Sequence, residues 1–293
     1  MIIVNLMGGL GNQMFQYALG RRLAQDKGVA LKLDTQWFGK QNLRKFELDK
    51  FNITFKIASE EEIYRTKHFS QNRIIRKVYS IYQNFLPYFR RSLISEQKSG
   101  IFDDHILEVP KNCYLTGYWQ SEKYFSSMED ILRKEFTPKE RADSNFIELS
   151  KEMQNINSVS LHVRRGDYVT NPRTNKVHGV LSIDYYKSAV KLIQNQIDAP
   201  HFYVFSDDLE WVKESLDFVI PCTYIESDKE GRDCEEMWLM SQCKHHIIAN
   251  SSFSWWGAWL GNNPDKIVIS PNQWFADPNY KVPDLIPEKW IRI

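Results

Sequence analysis

The sequence has no apolar stretch long enough to cross a bilayer, and its amino terminus lacks the features of a secretion signal. A membrane-spanning helix needs about 20 predominantly apolar residues. The first residues, MIIVNLMGGLGNQ, contain only a short apolar run with no basic residue before it. We therefore expect a protein that stays in the cytoplasm.

Cysteine is scarce, and its spacing excludes the common metal and redox motifs. No C-x-x-C pair and no zinc-type spacing occurs among the four cysteines. They are Cys113, Cys222, Cys234 and Cys243. The net charge is also small, at +1, which argues against nucleic-acid binding through bulk electrostatics. A length of 293 residues predicts one or two domains with a large core.

Acidic residues are absent between Tyr64 and Ser95. This segment contains seven basic residues interleaved with seven aromatic residues. The basic residues are Arg65, Lys67, Arg73, Arg76, Lys77, Arg90 and Arg91. The pattern over residues 59–94 predicts mostly helix. Two interpretations stay open: contact with an anionic membrane surface through residues 64–95, or a helix pair with packed aromatic rings on one face and solvated bases on the other.

The amino-terminal segment predicts a strand, a glycine-rich turn, a helix and a second strand. Residues 2–6 are apolar, the turn is GGLGNQ, an amphipathic pattern follows, and residues 30–34 form the second strand. Met14 occupies the third glycine position of G-x-G-x-x-G, so a dinucleotide fingerprint is not predicted. The turn either lets backbone approach a ligand or serves only tight packing between strand and helix.

The middle of the chain carries one more predicted strand and a candidate boundary. Residues 113–119 are predicted to form a strand, followed by a helix that continues through Phe136. Residues 137–157 are polar and include a proline. We predict two domains, 1–150 and 151–293.

From residue 158 onward, strand and helix patterns alternate. The predicted strands are residues 158–165, 201–205, 223–225, 246–249 and 266–269. Alternation of this kind builds a parallel sheet with helices on both faces, so the predicted fold class is α/β. In such sheets, ligands bind outside the carboxyl ends of the strands.

Three polar segments follow predicted strands of this second domain. They are Arg164-Arg165-Gly166-Asp167, Ser206-Asp207-Asp208 and Asn250-Ser251-Ser252-Phe253-Ser254. The third opens a helix, where free N–H groups and the helix dipole favour an anion. Arginine can hold a phosphate through two parallel hydrogen bonds, and aspartate can accept N–H or O–H donors from a nucleoside. Together they predict a site for a nucleoside diphosphate.

A purely structural alternative is an ion pair between Arg165 and Asp167, with Arg164 merely solvated. Metal binding is a further question, because a diphosphate leaving group needs positive charge from Mg²⁺ or from the protein. The pairs 207–208 and 103–104 are candidate ligands. We expect Asp208 to cap the next helix instead, and with two arginines available we expect no metal.

The motifs resemble a known family. The segment HVRRGDY at 162–168 resembles the H-x-R-R-x-D motif shared by α1,2-, α1,6- and protein O-fucosyltransferases. The other segments resemble glycosyltransferase family 11, the α1,2-fucosyltransferases: GGLGNQMFQYALG, GYWQSEKYF, FSDD, NSSFSWWGAWL and ISPNQWF. The resemblance implies a GT-B-like pair of Rossmann-type domains facing a central cleft. It also implies inverting, metal-independent transfer of fucose from GDP-β-L-fucose to the 2-hydroxyl of a terminal galactose.

The resemblance also implies roles for individual residues. Arg164 holds the β-phosphate, while Arg165 is a second, more structural arginine. His162 and Asp167 shape the surroundings of fucose and phosphate, and Asn12 faces the donor from the amino-terminal domain. The implied donor-contacting residues are Gly9, Gly11, Asn12, Arg164, Arg165, Ser206, Asp207, Asn250, Ser251, Ser252 and Phe253.

The general base stays open. Either His162 or Asp167 accepts the acceptor proton, or GDP departs so far ahead of attack that little base is needed. Without an amino-terminal anchor, the expected enzyme is bacterial and cytoplasmic, acting on a glycan assembled at the inner face of the membrane. Two other functions are kept: transfer from another GDP-sugar such as GDP-mannose, and non-catalytic binding of a nucleotide sugar or glycan.

Overall fold

The computed structural model describes residues 1–140, 142–216, 220–226 and 231–293. The chain forms two compact units, one of Met1–Thr137 with Val282–Leu285 and one of Pro138–Lys281 with Ile286–Ile293. The assignment of residues 1–150 to the acceptor and of 151–293 to the donor stays a prediction.

The first unit is a parallel sheet with helices between its strands. Its elements are β1 Ile2–Asn5, α1 Leu10–Lys27, β2 Leu31–Asp34, β3 Lys56–Ile57, α2 Glu60–His68, α3 Arg73–Phe85, β4 Leu93–Ser95, β5 Cys113–Thr116 and α4 Glu129–Glu135. The strand order is β3-β2-β1-β5-β4, and each neighbouring pair runs parallel. The carboxyl ends of these strands therefore lie along one edge.

The predicted strand, glycine turn, helix and strand at the amino terminus are confirmed. β1 is almost entirely buried, and α1 follows it after the turn at Gly8 and Gly9. Gly28 ends α1 in the left-handed conformation at φ 62°, which glycine adopts without the penalty that a Cβ imposes. Within α1, Gly20 lies against Val4 of β1, so helix and strand approach closely.

The basic segment contains the predicted helices α2 and α3. Ser59 and Glu62 form a capping box at the start of α2, because each side chain accepts a hydrogen bond from the other residue's backbone N–H. Two predictions nearby were incomplete. The segment ends in the short strand β4, and the helix before Phe136 begins only at Glu129, after two 3₁₀ turns.

The second unit is a doubly wound parallel sheet. Its elements are α5 Ser144–Asn155, β6 Ser158–Val163, α6 Gly166–Thr170, α7 Pro172–His178, α8 Ile183–Gln194, β7 His201–Ser206, α9 Leu209–Ser215, β8 Cys222–Tyr224, α10 Asp233–Ser241, β9 His245–Ile247, α11 Ser252–Leu260, β10 Val268–Ser270 and β11 Ile291–Arg292. The order is β8-β7-β6-β9-β10-β11, all parallel. This order is that of a Rossmann fold.

The central strand β6 is buried along its whole length, which explains its continuous apolar and small-residue sequence. It ends at Val163, so the predicted extension to Arg165 was wrong. The two arginines lie in the connection to α6, where a charged side chain can reach solvent or a partner. The polar stretch 137–157, expected as a boundary, contains the division between the two units after Thr137, and it also contains the helix α5.

The predicted α/β fold class, with a Rossmann-type parallel sheet in each unit, is confirmed. Across the described ranges, every helix falls short of the length and apolar content needed to span a bilayer.

The contact at Gly20 generates a stability prediction. A Cβ there would lie 2.4 Å from Val4 Cγ2 and 2.9 Å from Leu31 Cδ1. Overpacking costs about 1–3 kcal/mol, against a gain of about 1 kcal/mol in helix propensity. Gly20→Ala should therefore lower the free energy of unfolding in urea. Gly39→Ala is the control, because outside its own stretch of backbone no atom lies within 4 Å of the added methyl group. Equal midpoints for the two variants would contradict this packing.

Candidate functional site

The strand order of the second unit reverses between β6 and β9. The chain moves from β6 outward through β7 and β8, then returns to the other side of β6 for β9, β10 and β11. Ligands of doubly wound sheets bind outside the carboxyl ends at this reversal. The three polar segments predicted from the sequence follow β7, β6 and β9, which are neighbours in the sheet. The structure therefore brings them to one edge.

Arg164 lies between two carboxylates. Its Nη2 donates to Asp167 Oδ1 at 2.6 Å, and its Nη1 lies 3.1 Å from Asp207 Oδ2. Burial acts to lower the pKa of Arg164, but the charges of Asp207 and Asp167 outweigh it and raise the pKa. The guanidinium is therefore a permanent cation in a fixed position. The structural alternative, in which Arg164 is solvated and Arg165 pairs with Asp167, is wrong.

Arg165 has a different set of partners. Its Nε donates to Asp208 Oδ2 at 3.0 Å, and its guanidinium lies 3.6 Å from the centre of the Trp211 ring. Asp208 also caps α9, since its Oδ1 accepts the backbone N–H of Trp211 at 3.3 Å, as predicted. The Arg165 side chain is thus locked against α9 by a charge pair and a cation–π contact.

Asp207 links β7 to the connection after β6. Its Oδ1 accepts the backbone N–H of Arg165 at 2.8 Å, while its Oδ2 faces Arg164. A Cβ on Gly166 would lie 2.4 Å from Asp207 Oδ2, so only glycine leaves room for this carboxylate. If Asp207 contacts a nucleoside as predicted, its carboxylate accepts that hydrogen bond in addition to those from Arg165 and Arg164. Ser206 is bound into the same turn, with its Oγ accepting the backbone N–H of Asp208 at 3.0 Å.

His162 lies near the carboxyl end of β6 and is buried, with 4% of its surface exposed. Burial first, and the charge of Arg164 second, lower its pKa to about 3. The ring is therefore neutral at physiological pH. Its Nδ1 has no hydrogen-bond partner among the described residues, and its ring centre lies 5.6 Å from that of Phe253.

Asn250 joins the end of β9 to two other segments. Its Nδ2 donates to the backbone oxygens of His178 at 2.9 Å and Trp274 at 3.2 Å. Its backbone oxygen accepts the hydroxyl of Tyr168 at 3.1 Å. Its buried Oδ1 has no hydrogen-bond partner within the described ranges. A buried polar atom left unpaired costs about 1–3 kcal/mol, which favours a site that a ligand completes.

The start of α11 is held in place by its own sequence. Ser251 caps the helix, because its Oγ accepts the backbone N–H of Phe253 at 3.3 Å. Ser252 and Phe253 are half-buried, whereas the following turn is anchored by the buried rings of Trp255 and Trp256. The helix dipole at this end is therefore rigidly placed.

The glycine-rich turn lies at the carboxyl edge of the first unit. Gly8 has φ 81°, and a Cβ there would lie 2.6 Å from Asn12 Nδ2. Asn12 Oδ1 accepts a hydrogen bond from the Nε2 of Gln120 at 2.8 Å. Gly9 is the N-cap of α1, and Gly11 is buried in its first turn. Asn12 is thus oriented by Gln120, which the sequence analysis had not singled out.

A second residue that the sequence did not indicate is Glu96. Its carboxylate accepts the backbone N–H groups of Tyr118 at 2.7 Å and Trp119 at 3.0 Å. Burial raises the pKa of Glu96 above the usual range, against the effect of these two hydrogen bonds. Trp119 has φ 56°, a left-handed conformation that costs a bulky residue about 1–3 kcal/mol. No pattern in the sequence predicts these hydrogen bonds between Glu96 and residues 118–119, which are more than 20 positions apart.

The arrangement of carboxylates bears on metal binding. In the described parts of the chain, one group of three ligating side chains lies close together, Asp103, Asp104 and His105. It belongs to the first unit and is largely solvent-exposed. At the edge of the second unit, Asp207 and Asp208 each bind an arginine. That donor set suits guanidinium better than a divalent cation.

The buried His162 predicts a pH-dependent stability. Its pKa is 6.5 in a model peptide and about 3 in the fold. The unfolded chain therefore binds the extra proton between these values, and stability falls as the pH drops through that window. Between pH 7 and pH 5 this loss amounts to about 2 kcal/mol. His162→Asn should lose about that much less over the same range, measured by urea unfolding; an unchanged pH dependence would contradict the burial of a neutral ring.

The amino-acid sequence is similar to those of known proteins. The sequence model of Glycosyl transferase family 11 matches residues 1–293. The chain is 38% identical to Alpha-1,2-colitosyltransferase of Escherichia coli over 296 residues, which covers 100% of this chain and 98% of that protein. It is 36% identical to O-antigen biosynthesis glycosyltransferase WbnK of Escherichia coli over 309 residues, covering 98% and 99%. It is 27% identical to human Galactoside alpha-(1,2)-fucosyltransferase 1 over 179 residues, covering 58% and 46%.

Proposed function

Because the chain belongs to glycosyltransferase family 11, we propose that it transfers L-fucose from GDP-β-L-fucose to the 2-hydroxyl of a terminal galactose on a glycan. The observation that carries the proposal is the position of Arg164 at the reversal of strand order, directly after β6, which pairs with β9, the strand that leads into α11. Relatives named for α1,2-linked transfer of colitose and of fucose support the linkage.

In this proposal, the diphosphate of the donor is held by directed hydrogen bonds. Arg164 offers the N–H groups that Asp167 and Asp207 leave free, and the start of α11 offers main-chain N–H groups and the hydroxyl of Ser252. Arg164, Arg165, Asp167, Asp207 and Asp208 together hold two positive and three negative charges. The site therefore binds the diphosphate through placed donors rather than through an excess of positive charge.

The transfer step breaks the bond between fucose C1 and the β-phosphate oxygen. The galactose 2-hydroxyl bonds to C1 from the opposite face, which inverts the configuration, and its proton passes to solvent water. GDP keeps the electron pair, and Arg164 stabilises the charge that develops on the β-phosphate. The protein cation supplies this stabilisation, and the proposed reaction needs no metal.

The geometry bears on the open question of the base. His162, with a pKa of about 3, is a weak proton acceptor and is buried. Asp167 accepts a hydrogen bond from Arg164 at 2.6 Å, which commits one of its oxygens. Both features favour the alternative in which GDP departs ahead of attack, so that the 2-hydroxyl loses its proton late. His162 then shapes the donor site without taking a proton.

The proposed acceptor is a galactose-terminated glycan built in the cytoplasm. The relative named for O-antigen biosynthesis supports a bacterial surface glycan as the product. The proposed location is the cytoplasm, at the inner face of the membrane.

The test is transfer from GDP-fucose to lactose with EDTA present throughout, read out by mass spectrometry. We expect a product heavier by one deoxyhexose, with the linkage assigned by NMR. Arg164→Ala should lower kcat by about 10²–10³, the usual effect of removing a donor that stabilises a leaving charge. Lys151→Ala is the control, because this exposed cation lies on α5, before the amino end of β6.

The outcomes separate the functions considered. Product in EDTA from the wild type and the Lys151 variant, and little from the Arg164 variant, supports the proposal. Tight GDP binding without transfer to any galactoside would indicate a nucleotide-sugar-binding protein. Equal activity of the Arg164 variant would overturn the assignment of the diphosphate to this edge.

A second donor is favoured by one observation, the 38% identity to a colitosyltransferase over the whole chain. Colitose is fucose without its 3-hydroxyl. A site that hydrogen-bonds this hydroxyl rejects the deoxy sugar by about 10⁴–10⁵, whereas an apolar pocket rejects an added hydroxyl by only about 10². The ratio of kcat/KM for GDP-fucose and GDP-colitose in competition therefore identifies the donor. We expect a large ratio in favour of fucose; a ratio below one would assign the enzyme to colitose.

A further inference from the structure

Helix α3 presents a continuous apolar stripe to solvent. The exposed fractions are 75% for Ile74, 62% for Val78, 51% for Ile81 and 83% for Phe85. Their spacing of four, three and four positions places them on one face of the helix. Large apolar side chains exposed in one contiguous patch mark an interaction surface.

The helix is attached to the protein by a different face. Arg76 donates to the hydroxyl of Tyr64 at 2.6 Å, and Gln83 Oε1 accepts the backbone N–H of Ser92 at 2.6 Å. At 100° per residue, these two side chains lie more than a quarter-turn of the helix away from the apolar stripe. The stripe is thus directed outward by contacts that hold the helix in place.

Basic residues border the stripe. Arg73 and Lys77 are exposed and lie one helical turn apart along one edge of it. No acidic residue occurs within residues 64–95. Arg90 has a partner from outside the segment, Glu108 at 3.6 Å. The surface that remains around α3 is apolar with a cationic border along one edge.

We propose that α3 docks on an anionic lipid bilayer, with its apolar stripe in the boundary between headgroups and acyl chains. An amphipathic helix with basic borders binds in this way, lying parallel to the surface. At about 1.5 Å per residue, its 13 residues span about 20 Å, shorter than the hydrocarbon core of about 30 Å. The helix therefore lies on the membrane. None of the residues of this surface is among those assigned to fucose transfer.

The stripe could be covered either by lipid or by a second copy of the chain, and the charges beside it distinguish the two. In a pairing of α3 with itself, Arg73 and Lys77 would find no opposite charge on the partner helix, because the helix contains no acidic residue. An anionic headgroup satisfies the same bases, each worth about 1 kcal/mol near the surface. Charge complementarity thus favours the bilayer.

The apolar stripe is tested by vesicle sedimentation with the full chain. Vesicles of phosphatidylglycerol and phosphatidylcholine should bind the wild type, and the double variant Ile74→Ser with Phe85→Ser should bind at least about tenfold more weakly, since it loses two inserted side chains. The matched control is Leu43→Ser with Tyr280→Ser, which changes two exposed apolar residues elsewhere and should bind like the wild type.

The basic border is tested by lipid charge. Arg73→Gln with Lys77→Gln should lower the partition onto anionic vesicles by about tenfold or more. Binding to phosphatidylcholine alone should change little, and added salt should reduce the difference. Lys151→Gln with Lys187→Gln removes two exposed lysines from other helices and should leave binding unchanged.

Sedimentation equilibrium without lipid identifies the competing occupant. A monomer that binds anionic vesicles through α3 supports the proposal. A dimer that the Ile74 and Phe85 variant converts to monomer, with no vesicle binding by either form, would overturn it in favour of self-association. Wild-type binding equal on neutral and anionic vesicles would also overturn it. Unchanged circular dichroism and thermal midpoints establish that the variants are folded.

Discussion

The second unit depends on one carboxylate, that of Asp207. It follows β7, yet it accepts the backbone N–H of Arg165 in the neighbouring connection and faces the guanidinium of Arg164. These contacts join the ends of β7 and β6, beside the point between β6 and β9 where the strand order reverses. Gly166 leaves the space that the carboxylate needs. The placement of Arg164, and with it the proposed chemistry, follows from this bridge.

The parts of the fold that repeat a pattern were predictable from the sequence. The strand that begins at Ser158 was predicted from its apolar run, and the alternation of strand and helix patterns that follows it indicates a parallel α/β sheet. The rule that loops at the carboxyl ends of parallel strands meet at one edge then predicts that three polar segments lie together. The cap of α9 by Asp208 was local enough to be predicted as well.

What failed depended on partners distant in the sequence. The two arginines can form ion pairs with the three aspartates in several ways, and the sequence spacing does not distinguish them. The register of β6 with β7 determines which ion pairs form. The end of β6 at Val163 follows from the same contacts. Glu96 reaches the turn at Tyr118 and Trp119 only because β4 and β5 are neighbours, and β4 is too short to show a period.

The surplus of carboxylate around Arg164 has a consequence for selectivity in the cell. A cationic cleft concentrates every small anion, so inorganic phosphate and other nucleotides would compete with the donor. Here the two guanidinium groups are outnumbered by the three carboxylates that position them, so the five side chains together exert no long-range pull on anions. An anion therefore binds only when its oxygens lie within hydrogen-bond distance of the donors. In the proposed reaction, the same bridge that orders the loop thus favours a diphosphate whose oxygens match these donors over free inorganic phosphate.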